Sequence, residues 1–318
     1  MNQAKTRQLQ LIRELQPKLI SHFLSVVDHI SISRAAEVMN ITQPALSKSI
    51  KQLEDRVGVP LFERWPKGMK ATPYGEILAR RARLIEREIS YAVSEIQTLK
   101  GGASGSIRIG AGLVWGHKYL APVIAQFQAI YPGLRIELRS GVISTLVPAL
   151  LGGDLDIICV TLDFPDSAEI EKEYLVEIRH AIFARMDHPL SKLQHVTAAD
   201  LHRYGWVGLK DDYVGNNRLG SFFAASGLGP PNIRVELGAD LGMIGILATS
   251  DHLGMLPIAL ESTARAMGVV PVDVGSAQLW VSTAGAAYRR TSYPTPAINN
   301  FLAMLRAAFE PRTRPQRP

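Results

Sequence analysis

The chain has 318 residues, 47% of them hydrophobic, enough for two or three packed units each with its own core. No run approaches the roughly 20 apolar residues of a membrane span, the first 15 residues carry no signal-peptide core, and a single cysteine cannot make an internal disulfide or a chelating cluster, so a cytoplasmic multidomain protein is expected. The formal net charge of +6 lies wholly in residues 1–105, with 16 Lys and Arg against 10 Asp and Glu, while the remainder holds 19 of each; such asymmetry is the footprint of a polyanion partner.

Residues 1–16 form a Gln-, Lys- and Arg-rich extension with Leu9, Ile12 and Leu15 at helical spacing, read as a short helix or an arm. Leu19, Ile20, Phe23, Leu24 and Val27 then give an amphipathic helix. Ser33 is placed to cap a short helix that runs through Ala36, Val38 and Met39 to Asn40, a residue that tolerates the left-handed conformation. Thr42 offers a second N-cap, Pro44 falls in the first turn, and Leu46, Ile50, Leu53 and Val57 follow at helical spacing until Gly58 closes the helix.

Two short helices about three residues apart are what a helix-turn-helix requires. The second can push Gln43, Ser47 and Lys48 into a major groove because its other face has a core to hold it. Gln43 suits adenine, Lys48 guanine or a phosphate, and Ser47 a base edge or the backbone. On spacing alone an ordinary helical hairpin fits equally well; the basic charge favours DNA.

Residues 60–72 hold two short extended runs around Pro66-Lys67-Gly68, read as a β-ribbon with Lys67 and Lys70 at or beside its tip. Arg64, Lys67 and Lys70 are placed to meet phosphate or a minor groove; for the lysines a solvated hairpin is the alternative. Thr72 can cap a long helix with Pro73 at its first position, running to Leu99 before Gly101-Gly102. Leu78, Ala82, Ile85, Ile89, Ala92, Ile96 and Leu99 make a heptad seam on it, flanked by Arg80, Arg81, Arg83 and Arg87. Pairing with the same helix of a second chain would bury that seam and give DNA recognition a two-fold axis; the alternative is packing on the chain's own domain.

A Gly- and Ser-rich hinge follows, and beyond it strands alternate with helices. Strands are expected over 107–110, 134–138, 156–160, 206–209, 233–237 and 253–256, with extended runs over 174–183 and 278–288. Helices are expected over 122–129, 146–151, 217–226, 240–248, 258–266 and 297–309. Two α/β lobes joined by crossovers make a hinged cleft suited to a small molecule. Cys159 lies in a buried strand and packs as a small hydrophobe, and the eight His lack metal-ligand spacing, so no metal or other cofactor is expected. The run Gly110-Ala111-Gly112-Leu113-Val114-Trp115-Gly116 has its third Gly one residue late for a dinucleotide loop and no acidic residue about 20 further on. The tail from 311 carries Arg312, Arg314 and Arg317 among prolines and is expected to be disordered.

Residues 19–79 resemble the winged helix-turn-helix of the LysR-type transcriptional regulators. The resemblance rests on Ala35-Ala36, Thr42-Gln43-Pro44-Ala45-Leu46-Ser47, Leu53-Glu54, Val57-Gly58, Leu61-Phe62-Glu63-Arg64 and Thr72-Pro73-Tyr74-Gly75, in the family's order and spacing. One departure is Ile30-Ser31-Ile32-Ser33, where the family usually has Gly-Ser-Phe-Ser. The resemblance implies a DNA-reading set of Arg34, Thr42, Gln43, Pro44, Ser47, Lys48, Lys51, Arg64, Lys67 and Lys70, with Arg64 as the wing arginine. More diffusely, Asp154-Leu155-Asp156-Ile157 and Leu253-Gly254-Met255-Leu256-Pro257 are similar to the family's effector domain, itself similar to periplasmic solute-binding proteins.

The resemblance then implies an α/β multidomain fold: an extension (1–16), a winged helix-turn-helix (17–73), a linker and dimerisation helix (74–100), a hinge (101–106), a two-lobed Rossmann-like effector-binding domain (107–310) and a basic tail (311–318). Lobe I comprises 107–162 and 278–310, and lobe II 163–277. An effector of unknown identity would touch Ala111, Gly112, Leu113, Val114 and Trp115 after the first strand, and Gly141, Val142, Ile143, Ser144 and Thr145 at the next helix. Leu209, Gly238 and Ala239 face it from the other lobe. Helix N-termini at Ser144-Thr145 and Asp240 suit a carboxylate or another acceptor-rich ligand. Where the family often has Ser or Thr after the first strand this chain has Ala111, which favours an apolar pocket; Trp115 fits the pocket or lobe packing equally. The implied partners are promoter DNA, the effector, a second copy as dimer or tetramer, and RNA polymerase. An enzyme on the α/β half lacks a Ser/His/Asp order, a phosphate loop or a metal cluster, and a packaging protein would not need the cleft.

Overall fold

A computed structural model of the chain describes residues 16–66, 68–99, 105–238, 242–274, 280–290 and 295–310. The residues fall into two compact units, Met1–Val93 and Ser94–Pro318.

In the first unit, α1 (Pro17–His29), α2 (Ile32–Val38) and α3 (Gln43–Val57) precede a hairpin of β1 (Phe62–Trp65) and β2 (Gly68–Ala71) and the long α4 (Pro73–Leu99). Local chemistry sets each boundary. Thr42 Oγ1 accepts the Ala45 N–H to open α3, Gly58 at φ 80° closes it, and Asn40 makes the preceding turn at φ 52°. The cap of α2 is Ser31, whose Oγ accepts the Arg34 N–H, and not Ser33, which lies inside the first turn. The reason is Ile30, which ends α1 in the left-handed region and leaves Ser31 as the extended residue before the helix.

Phe23, Ala35, Leu46, Leu53 and Leu61 are fully excluded from solvent at the centre of this unit. Glu54 anchors the hairpin by accepting the N–H groups of Leu61 (2.7 Å) and Phe62 (3.2 Å), while the Ile30 carbonyl accepts the Met69 N–H at 2.8 Å. A side chain at Gly68 would place its Cβ 2.2 Å from that carbonyl oxygen, so the strand approaches the turn only as glycine. Thr72 Oγ1 donates to the Pro60 carbonyl and accepts the Gly75 N–H, tying the hairpin to α4.

The second unit is built on one mixed sheet. Its strands are β3 (Gly105–Ala111), β4 (Leu134–Ser140), β5 (Ile157–Thr161), β6 (Ile170–Arg185), β7 (Trp206–Leu209), β8 (Ile233–Leu237), β9 (Leu253–Pro257), β10 (Val269–Pro271) and β11 (Trp280–Arg289). The order is β4-β3-β5-β11-β6-β9-β7-β8, with β10 also on β6. Strands β4, β3 and β5 are parallel, as are β8, β7 and β9, and the antiparallel pair β6 and β11 joins the two groups.

The helices are α5 (Leu120–Ile130), α6 (Ile143–Leu151), α7 (Ala198–His202), α8 (Tyr213–Ala224), α9 (Met243–Ala248), α10 (Glu261–Ala266) and α11 (Pro296–Phe309). A π-turn at Trp115–Tyr119 leads into α5, and residues 258–260 make a 3-10 turn ahead of α10. Phe164 and Ile170 pack in the core with Leu146, Leu150 and Ile158. The crossing between lobes therefore lies within β6 and not at the expected residue 163: its first half pairs with the end of β11 beside β5, and its second half pairs with β9.

Candidate nucleic-acid interface and ligand cleft

The polar face of α3 is set by what its other face buries. With Leu46, Ile50 and Leu53 in the core, Gln43, Ser47 and Lys51 fall on one outward stripe at i, i+4 and i+8, beside Pro44 and Lys48. Gln43, Pro44, Lys48 and Lys51 are exposed and Ser47 is half-buried, while Thr42 is spent as the helix cap. Arg34, on α2, is exposed and paired with Glu37 at 3.1 Å. On the hairpin Arg64 and Lys70 are exposed; Lys67 lies outside the described residues. The sequence reading missed Trp65, which is 53% exposed beside Arg64 with the Lys70 ammonium 5.1 Å from its ring centroid.

The seam on α4 divides in two. Ala82 is 1% exposed and, with Leu78 and Ala79, closes the first unit's own core, which corrects its assignment to a partner-facing seam. Ile85 (57%), Ile89 (55%), Ala92 and Ile96 (53%) remain uncovered, joined by Ile77 and Val93. The side chain of Leu99 lies outside the described residues. Arg83 pairs with Asp28, and the Arg87 guanidinium lies 4.6 Å from the Tyr91 ring centroid, so the flanking arginines are partly held by the chain itself.

In the second unit the carboxyl ends of the parallel strands converge on a cleft of about 120 Å³, against about 10–15 Å³ needed for one water. Of the anticipated residues Gly112, Leu113, Val114, Trp115, Gly141, Val142, Ile143 and Leu209 line it. Thr145 and Gly238 line an adjoining mouth, together with Arg139 and Lys210. Ala111 does not reach the cleft, being 1% exposed in the sheet core, and Ser144 is turned to the other lobe, where its Oγ donates to the Asp211 carbonyl. Ala239 and Asp240 lie outside the described residues. Trp115 does both things asked of it: it borders the cleft and packs edge-on against Tyr119 and near Phe309, at 5.3 and 5.4 Å between centroids.

The inner end of the cleft was not foreseen. Arg218 of α8 lies 3.0 Å from Asp163 and donates to Ser282 Oγ of β11 at 2.5 Å. Its guanidinium sits 5.9 Å from the Trp280 ring centroid, and His180 of β6 stacks on that indole at 5.6 Å. Burial, reinforced by the Arg218 charge, pulls the His180 pKa down to about 4 from an ordinary 6.5, so the imidazole is neutral at pH 7. Burial also raises the Asp212 carboxyl, although it caps α8 by accepting the Gly215 N–H at 3.0 Å. Cys159 is fully buried with its thiol pushed far up by desolvation, which leaves it inert.

A basic helix-turn-helix with a two-stranded wing, joined in one chain to a two-lobed α/β unit that holds a small-molecule cleft, defines a ligand-responsive DNA-binding regulator. Comparison with known proteins makes the class specific. The family model described as LysR substrate binding domain matches residues 100–310, and that described as bacterial regulatory helix-turn-helix protein, lysR family, matches 17–76. The chain is 30% identical over 245 residues to the SDS degradation transcriptional activation protein of a Pseudomonas species, covering 75% of this chain and 78% of that protein. It is 27% identical over 294 residues to the transcriptional regulator GbpR of Azospirillum brasilense, covering 92% and 86%.

Among solved structures, a full-length variant of OxyR from Pseudomonas aeruginosa superposes with a TM-score of 0.64 at 18% identity, over 93% of this chain and 94% of that one. CbnR, a LysR family regulator, gives 0.65 at 15% identity over 93% and 100%. The chain belongs to the LysR family of transcriptional regulators: it binds promoter DNA through the winged helix-turn-helix and carries an effector-binding domain. Among the described residues no helix is long and apolar enough to cross a membrane.

Proposed function

We propose that α3 reads the promoter through Gln43, Ser47, Lys48 and Lys51, that Arg34, Arg64, Lys67 and Lys70 hold the phosphates, and that an acceptor-rich effector with an apolar body occupies the cleft. The observation that carries this reading is the stripe Gln43-Ser47-Lys51, presented outward by a helix whose opposite face is locked into the core. Capping supports it, since Thr42, whose Oγ1 accepts the Ala45 N–H, and Pro44 fix where the helix begins and so which side chains its first turn presents. The uncovered residues of α4 from Ile85 onward support assembly as a dimer or higher oligomer, and hence an interrupted palindrome as target, near the protein's own promoter. The protein works in the cytoplasm, contacts RNA polymerase once bound, and acts by binding and not by turnover, as the named relatives are regulators.

Fluorescence anisotropy with fragments upstream of the gene tests this. The expected outcome is preference for one fragment, with Lys48→Ala and Arg64→Ala together weakening it at least tenfold and reducing the salt slope by about one, as loss of one base contact and one phosphate contact predicts. Unchanged affinity in the double variant would reject the assignment.

A further inference from the structure

Several of the cleft's polar groups are donors. Trp115, 1% exposed, lines the cleft, and its buried Nε1–H has no acceptor in the protein. The Ile143 N–H opens α6, and the first N–H groups of a helix have no intrahelical acceptor. Arg218 brings a planar fork of five N–H donors, of which the contacts to Ser282 and Asp163 occupy only part. Its pairing with Asp163 is close but poorly aligned: Asp163 Oδ2 lies 3.0 Å from Nη2, yet that buried oxygen accepts no well-formed hydrogen bond. The lining carboxylate, Asp212, already accepts from the α8 backbone. Leu113, Ile178 and Met255 supply apolar walls, and Arg139 and Lys210 stand at the mouth, where they attract anions.

We infer that the effector is a small organic acid whose carboxylate is received by Arg218, and that Asp163 competes with that carboxylate for the guanidinium. A buried donor left without an acceptor is costly, so unpaired donors in a cleft select a ligand that supplies acceptors, and apolar walls select an apolar body. A polyol or an amine would instead need free carboxylates or amides. Asp163 follows β5 and Ser282 belongs to β11, which crosses between the lobes, so Arg218 ties α8 both to one lobe's strand end and to a crossing strand. A carboxylate that takes Arg218 from Asp163 alters that tie, which makes ligand binding and lobe geometry one event.

The inference rests on reading the cleft as the effector's site. It is tested on the full chain by thermal shift and calorimetric titration with benzoate and hexanoate, each against its primary amide. At least one acid is expected to raise the melting temperature and to bind at least tenfold more tightly than its amide. Arg218→Gln is expected to weaken that acid at least tenfold, while Asp163→Asn, which removes the competitor, strengthens it several-fold. A merely structural ion pair would move both variants in the same direction. Equal binding of acid and amide, no response to either acid, or weakening by both substitutions would overturn the inference. Promoter binding by the same preparations separates the two levels: if it persists while acids and amides are not distinguished, the ligand class fails and the regulator reading stands.

Discussion

Ile30 adopts φ 56°, a conformation that places a β-branched side chain against its own backbone and that glycine adopts without strain. The turn needs that geometry because the Ile30 carbonyl must accept the Met69 N–H and sit against Gly68. The side chain is 53% exposed, so little burial offsets the strain. Ile30→Gly is therefore expected to stabilise the first unit by about 1 kcal/mol in urea unfolding, the left-handed penalty less glycine's greater freedom when unfolded. His180 supplies a second residue-scale expectation. Its folded pKa of about 4 lies below the ordinary 6.5, so between those values the unfolded chain binds the proton and the folded one does not. Stability is then full above pH 6.5 and declines as pH falls toward 4, and His180→Gln is expected to flatten that decline in melting curves of the whole protein. An unchanged pH profile would show that His180 does not govern it.

At the scale of elements, α4 performs two tasks along one helix. Its first turns complete a core through Leu78, Ala79 and Ala82, and its later turns leave isoleucines in water. Burying one such side chain returns about 1.5–3 kcal/mol, so a run of them favours a second helix alongside. Ile85→Lys with Ile89→Lys is expected to dissociate the oligomer in sedimentation velocity while the first unit keeps its helical content. Ala82→Lys, by contrast, puts a charge into a filled core and is expected to unfold that unit. If the double lysine variant sediments as the parent does, the seam lies elsewhere.

At the scale of the molecule, the effector domain is governed by two long antiparallel strands that pass from one lobe to the other. At the bulge between Ala284 and Gly285 a side chain on Gly285 would put its Cβ 1.8 Å from the Glu173 carbonyl oxygen, so the strands close only over glycine. Links between the lobes flank the cleft, with Lys118 donating to the Ala259 carbonyl at 2.8 Å and Ser144 to that of Asp211. Asp211 itself stands at φ 62°, strained at the contact between the lobes. A ligand seated here would touch both parallel strand groups and the two strands that cross between them.

Much of this was legible in consecutive residues. Thr42, Gly58, Thr72 and Pro73 mark helix ends because caps, left-handed turns and proline act over three or four residues, and the strands of the α/β half announce themselves as short apolar runs between turns. Ser31 in place of Ser33 was not legible, since it depends on a turn held by the hairpin. Nor was the inner cleft: Asp163, His180, Arg218, Trp280 and Ser282 come from separated segments. They meet only because β11 returns between β5 and β6, a pairing decided by the burial of whole sheet faces and not by any local pattern. The chain order thus determined what the pieces are and that DNA is bound; the tertiary structure decided which side chains face a ligand, because only folding brings distant charges and rings within reach of one another.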